Sequence, residues 1–361
     1  MKDAQLTERE RQVLEAVVRM YVRTAEPAGS RTLARRFDLG VSPATVRNTM
    51  ADLEAKGYLY HPHTSAGRVP TDLAYRFYVD VLMEPVPMTP AEERALIEEI
   101  AEAGSVSGLE LLLQRAASAL GVLTGELGVA LSPDLGDAVL ERLDLAALAS
   151  GKLVLVLELS GRQARTVYIE SRGDFVAEAV GVVSRVLNER LAGRTLREIR
   201  ATLPERLRDS VPSEDVAASS LLNIFVQSGE ELFSSSPDGA ALLHLGRTSV
   251  LARQPEFSSK DELKSLIELT EQRDLLATVL SGANSGQTLR VTIGSEHERP
   301  ELSSFTVVSS PYRAEGVAGV IGVIGPTRMP YEKVVAIVEQ TSGLLSTLYG
   351  GDAEAPRISR H

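Results

Sequence analysis

Between residues 7 and 23 the apolar side chains Leu14, Val17, Val18 and Tyr21 recur at helical spacing, and Thr7 with Glu10 three positions on forms a capping box. A first helix is expected there. Pro27 and Gly29 interrupt the pattern, and Ser30 is placed to cap a second helix through Arg36 whose inner side carries Leu33, Ala34 and Phe37. Ser42 before Pro43 then forms an N-cap and first helical position, and Val46, Met50 and Leu53 make the buried stripe of a third helix ending near Gly57. Residues 58–61 and 68–70 flank the turn Thr64-Ser65-Ala66-Gly67 and predict a β-hairpin, with a fourth helix over 71–83.

Three prolines between Pro85 and Pro90 favour an extended linker, so the first domain ends near residue 85. Beyond it Thr89 and Glu92 form a second capping box, helices are expected over 90–103 and 108–120, and strands over 128–131, 139–148, 153–159 and 164–170. About sixty helical residues follow (175–191, 196–203, 216–233), then a helix capped by Ser259 and Glu262 that bears Leu263, Leu266, Ile267, Leu276 and Leu280. Strands return over 289–293, 305–309 and 317–324 before a last helix over 330–348. Strands, helices and strands again describe a helical insertion within an α+β domain.

Composition narrows the chemistry. At 361 residues the chain is long enough for two or three domains. It has no Cys, which removes disulfides, thiolate metal sites and cysteine nucleophiles, and its five His leave little for a metal. No apolar run reaches the length of a membrane span, and the start at Met1-Lys2-Asp3 has no apolar signal region, so a cytoplasmic location is expected. The net charge of −11 argues against a phosphate-rich partner until it is divided. Residues 1–83 carry 12 Lys+Arg and 10 Asp+Glu, and the acidity belongs to the remainder.

Three short helices and a hairpin form the layout of a winged helix-turn-helix, whose third helix enters the major groove. On a helical wheel with Val46 facing inward, Asn48 and Ala44 fall on the opposite side and Arg47 and Thr45 on the flanks. Arg pairs with guanine, Asn with adenine, and a small Ala permits close approach. Ser30 could present backbone N–H groups to a phosphate with Arg31, Arg35 and Arg36 nearby, and Arg68 at the hairpin tip suits a wing contact to the minor groove or backbone. The expected DNA-binding set is therefore Ser30, Arg31, Arg36, Ser42, Ala44, Thr45, Arg47, Asn48, His63, Ser65 and Arg68.

The stretches Pro27-Ala28-Gly29-Ser30-Arg31-Thr32-Leu33 and Val41-Ser42-Pro43-Ala44-Thr45-Val46-Arg47-Asn48-Thr49-Met50 resemble the N-terminal domain of the HrcA family of heat-inducible transcription repressors. Pro62-His63-Thr64-Ser65-Ala66-Gly67-Arg68-Val69-Pro70-Thr71 with Tyr75-Arg76-Phe77-Tyr78-Val79-Asp80 is the most distinctive block. Val291-Thr292-Ile293-Gly294 and the run from Gly319 to Tyr331 are similar to the family's C-terminal block, although His297 stands where the family commonly has Asn. The resemblance implies an α+β multidomain protein with a winged helix-turn-helix (1–85), a GAF-like domain in two parts (86–173 and 246–350), an inserted dimerising domain (174–245) and a tail (351–361). It further implies a non-enzymatic homodimer that represses chaperone operons at an inverted-repeat operator of the CIRCE type, with its active state dependent on the GroE chaperonin and no cofactor. A small-molecule sensor in the GAF-like domain is the alternative.

Other signals carry less. Gly316, Gly319, Gly322 and Gly325 lack the dinucleotide and P-loop patterns and fit close backbone approach in a strand. His61 and His63 have no third ligand nearby, and Gly282-Ala283-Asn284-Ser285-Gly286 has Asn where a nucleophile elbow needs Ser. Leu221, Leu222, Ile224 and Phe225 form an apolar cluster that fits either an ordinary core or a dimer interface.

Overall fold

Thr7 opens the first helix as its spacing from Glu10 predicts. Its hydroxyl accepts the Glu10 N–H at 3.3 Å, while the Glu10 carboxylate accepts the Thr7 N–H at 2.8 Å, and α1 runs Glu8–Thr24. The computed structural model describes residues 6–63, 67–101, 109–132, 135–148, 152–160, 163–170, 176–208, 210, 215–233, 243–283, 289–314 and 317–349. Helices α2 (Ser30–Arg36) and α3 (Pro43–Ala55) follow, then the hairpin β1 (Leu59–Tyr60) and β2 (Val69–Pro70), paired antiparallel. The cap of α2 differs from expectation: Gly29 is the N-cap without a side-chain bond, and Ser30 is the first helical residue. The expected fourth helix is α4 (Asp72–Phe77) continued by one π turn, Tyr78–Leu82.

The linker leads into α5 (Pro90–Ala101) and α6 (Leu109–Thr124), and the capping box of Thr89 and Glu92 is present. Next come β3 (Leu127–Leu131), β4 (Leu140–Leu148), β5 (Lys152–Leu159) and β6 (Gln163–Glu170). Helices α7 (Ala177–Leu191), α8 (Leu196–Leu207) and α9 (Val216–Leu232) precede a short β7 (Leu243–Leu245) that periodicity does not signal. The helix expected from Ser259 is two helices, α10 (Lys260–Glu271) and α11 (Arg273–Ala283). The chain closes with β8 (Arg290–Ile293), β9 (Phe305–Ala314), β10 (Val317–Pro326) and α12 (Tyr331–Tyr349).

Contacts divide the chain into two units. The first comprises residues 1–130, 244–311 and 320–342. It contains the N-terminal helices and hairpin and nearly all of a five-stranded sheet ordered β7-β3-β10-β9-β8. Val129, Val307 and Val323 of the sheet, Leu113 and Leu120 of α6, and Val334 and Val338 of α12 are buried. Gly319, Gly322 and Gly325 lie inside β10, so the glycine run belongs to a strand and not to a phosphate loop. Gly316 and Asn284 lie outside the described residues.

The second unit is residues 131–243 with 312–319 and 343–361. Strands β4, β5 and β6 form their own antiparallel meander, and one face of it shares a core with α7, α8 and α9. Asn188 of α7 acts as a strand-like partner for β4, accepting the Leu143 N–H at 2.8 Å and donating to the Leu143 carbonyl at 2.5 Å. The sequence places these strands with the GAF-like part and starts the insertion at 174; the contacts start this unit near Leu131, because the leucines of β4 and β5 are buried against the three helices. The cluster Leu221, Leu222 and Phe225 is buried in the same core within one chain, with Ile224 half-buried against it. Among the described residues no helix is long and apolar enough to cross a membrane.

Candidate nucleic-acid interface

The cap of α3 orients its outward face. Ser42 Oγ accepts the Thr45 N–H at 3.2 Å and lies 3.0 Å from Thr45 Oγ1, which turns the first helical turn outward with Ala44 exposed. Val46, Met50 and Leu53 point into the core, and Arg47 and Asn48 are exposed, as the helical wheel predicts. The hydroxyls of Ser42 and Thr45 are thus engaged in the cap. On α2, Arg31, Arg35 and Arg36 are exposed and Ser30 is half-buried.

The cations of the first 83 residues differ in how they are held, and Arg9 and Arg23 of α1 are also exposed with no side-chain partner among the described residues. The side chains of Arg31, Arg35, Arg36 and Arg47 make no hydrogen bond or ion pair with any described residue, and all four are exposed on α2 and α3. Lys56, Arg68, Arg19 and Arg76 are held internally. Lys56 Nζ lies 2.6 Å from Glu10 Oε1, and Arg68 Nη2 lies 2.6 Å from Glu54 Oε2.

Arg68 is the cation expected at the wing. Its side chain is 14% exposed, its Nε is buried without a hydrogen bond, and Glu54 of α3 holds it together with His61, whose Nδ1 is 3.4 Å from Glu54 Oε1. Arg68 also exchanges both backbone hydrogen bonds with Ala28, at 2.8 and 2.9 Å. A Cβ on Gly67 would stand 2.3 Å from the Ala28 carbonyl oxygen, so only glycine lets the hairpin close on this segment. The Gly67-Arg68 pair fastens the hairpin to α3 and to the segment just before α2. His63 is exposed, and Ser65 lies outside the described residues. No group of three metal-ligating side chains occurs among the described residues.

A second cluster, assigned no role from sequence, joins the N-terminal helices to the sheet of the same unit. Arg76 donates from Nε to Glu296 Oε1 at 2.7 Å and from Nη2 to Glu296 Oε2 and the Val291 carbonyl, both at 2.6 Å. Arg328 donates to the Val22 carbonyl at 2.6 Å and holds Glu256 through two nitrogens. Tyr78 donates to Glu332, and the Tyr75 and Tyr331 rings lie 5.8 Å apart. Nearby, Glu126 is buried with Gln254 as its hydrogen-bond donor at 2.9 Å, and burial pushes its carboxyl up to about 8. Burial also holds the His297 imidazole below its ordinary range, and its Nε2 has no hydrogen bond. The only sequence signal for these contacts is that Tyr75 to Asp80, Val291 to Gly294 and Arg328 to Tyr331 belong to the blocks quoted above.

Residues 110–335 match the family model described as HrcA protein C terminal domain. The chain is 36% identical over 357 residues to the heat-inducible transcription repressor HrcA of Chlorobium luteolum, covering 96% of this chain and 98% of that protein. It is 38% identical over 356 residues to that of Chlorobaculum tepidum, with the same coverage, and 38% identical over 346 residues to that of Carboxydothermus hydrogenoformans. A crystal structure titled only as a hypothetical protein shares the fold at a TM-score of 0.63 and 24% identity, covering 96% of this chain and 99% of that one. With a family model matching more than half of its length and relatives aligned nearly end to end, the chain belongs to the HrcA family.

Proposed function

We propose that the protein is a homodimeric repressor that reads an inverted-repeat operator of the CIRCE type, upstream of chaperone genes, through a winged helix-turn-helix formed by α1–α3 and the β1–β2 hairpin. Family membership makes it a repressor-type transcription regulator of the heat-shock response and not an enzyme. The observation that carries the finer reading is that Arg31, Arg35, Arg36 and Arg47, on α2 and α3, are exposed with no side-chain partner among the described residues, in a chain that is acidic overall. Unpaired cations offer charge to phosphate without first breaking an internal ion pair. The acidic remainder disfavours indiscriminate binding to polyanions. On this reading the sheet is a GAF-like domain, the 131–243 unit supplies dimerisation, and the GroE chaperonin maintains the active state.

Arg47→Ala and Asn48→Ala are each expected to weaken binding to the operator by about 1–3 kcal/mol and to relax preference at particular bases. Arg31→Ala and Arg36→Ala are expected to weaken operator and unrelated DNA alike and to reduce the salt dependence. Fluorescence anisotropy with both DNAs at several salt concentrations measures this. Equal loss on both DNAs for Arg47→Ala sinks its base-reading role. The ligand-sensor alternative has less behind it. A cavity of about 330 Å³ lies beside the linker, between Val86, Met88 and Ile337, but its polar groups already have partners: Glu92 pairs with Lys333 at 2.7 Å, and Glu332 accepts from Tyr78.

A further inference from the structure

Residues 72–78 and the segments 291–296 and 328–332 are more than 200 positions apart in the chain, yet they meet in one polar seam. Arg76 and Glu296 form a two-point fork, and the same guanidinium also reaches the Val291 carbonyl and, at 2.9 Å, Asp80 Oδ1. A fork fixes direction as well as distance, unlike a lysine contact. Beside it Asp72 Oδ2 accepts the Ser295 N–H at 2.8 Å. Gly294 has φ +49°, and a Cβ there would lie 2.4 Å from the Asp72 carboxylate, so this turn accepts Asp72 only as glycine.

In the last turn of α1 Arg328 donates to the carbonyl of Val22, one of the groups with no helical partner, while Glu256 holds its other nitrogens. The linker does not swing free either: Val86 N–H donates to the Glu332 carbonyl at 3.2 Å. Helix α3, which carries Arg47 and Asn48, belongs to a group of helices whose α4 and α1 are held by Arg76 and Arg328, with Tyr78 and Val86 adding bonds to Glu332.

We propose that Arg76, with Glu296 and Asp72, and Arg328, with Glu256, are positioning residues for DNA recognition: they set the direction in which α3 leaves the body of the protein and so dictate which half-site spacing the dimer accepts. The proposal rests on the dimeric DNA-binding function above. A dimer whose reading heads are fixed accepts half-sites at one separation, because each added base pair shifts the second site along the duplex and turns it around the axis. A dimer with loosened heads keeps its contacts to each half-site and loses that discrimination.

The test uses the full-length chain with Arg76→Ala and, separately, Arg328→Ala and Glu296→Gln. Binding is measured to a single half-site and to inverted repeats whose spacing is lengthened or shortened by one to three base pairs. Because the chain has no Cys, Asp52→Cys on α3 with Lys264→Cys on α10 allows two spin labels and a distance distribution without DNA. The parent is expected to lose tenfold or more on a spacing change and to give a narrow distribution. The variants are expected to hold half-site affinity within about twofold, flatten the spacing profile to about threefold and broaden the distribution.

An unchanged distribution in all three variants overturns the positioning role whatever happens on DNA. An unchanged spacing profile does so too. If none of the three retains folded structure and half-site binding, the contacts serve general stability and the proposal is wrong. A parent that binds no inverted repeat while the variants still broaden the distribution overturns the DNA-binding function and leaves the clamp itself supported.

Discussion

Replacing Phe225 with Ala is expected to destabilise the 131–243 unit by about 3–5 kcal/mol, the range for truncating a fully buried aromatic side chain. Phe225 of α9 has no exposed surface and shares its core with Leu155, Val183, Leu187, Ile199, Leu203 and Leu221. Interiors pack too tightly to collapse around so large a void, so the cost combines lost transfer energy and an unfilled cavity. Ile224→Ala, at a half-buried neighbour, is expected to cost less than half as much. An interface residue behaves differently: its truncation weakens association and leaves the isolated unit intact. Denaturant unfolding of parent and variant at protein concentrations tenfold apart separates the two cases. Core truncation gives the same loss at both concentrations, together with faster amide exchange in α7–α9. A loss that vanishes at the higher concentration returns Phe225 to the interface.

That distinction marks where sequence stops informing. Local signals were legible because their partners sit three or four residues away: Thr7 with Glu10, Thr89 with Glu92, and Ser42 before Pro43 all cap helices as expected. The alternation of Leu153, Leu155 and Leu157 announces a strand with one buried face, yet period two is silent about which sheet the strand joins or which helices cover it. The break between α10 and α11 falls at Gln272, where neither Gly nor Pro marks it.

The candidate interface divides in the same way. Arg47 and Arg68 look equally available in the sequence, and only the position of Glu54 shows that one is exposed and the other held. The wheel placed Asn48 correctly because helical geometry is local. No local rule brings Arg76 to Glu296 or Arg328 to Val22, because those pairings exist only once segments more than 200 residues apart have folded together. The quoted motif blocks named these residues without their roles.

Glu126 yields the second large expectation, a stability that falls as pH rises. It sits between α6 and β3, is 2% exposed, and receives one hydrogen bond from the Gln254 amide, whose own Oε1 is buried without a partner. Burial raises its carboxyl to about 8 against smaller lowering contributions from Gln254 and the Arg328 charge, while Glu256 raises it further. The neutral acid also brings an O–H donor to the Gln254 amide, whereas the carboxylate brings only acceptors. Because the folded chain holds this proton more tightly than the unfolded chain, the associated stability is complete below the ordinary glutamate range. It is lost as pH rises through about 8. Between pH 5 and pH 8 the loss amounts to about 3 kcal/mol for this one group. Glu126→Gln keeps the shape and the neutral state at every pH, so the variant is expected to match the parent within about 1 kcal/mol at pH 5 and to exceed it by about 3 kcal/mol at pH 8. Denaturant unfolding of both chains at intervals across that range isolates the effect, since all other titrating groups cancel in the difference. A variant that is less stable by the same amount at every pH shows instead that Glu126 is ionised in the folded chain and bound to the Arg328 charge.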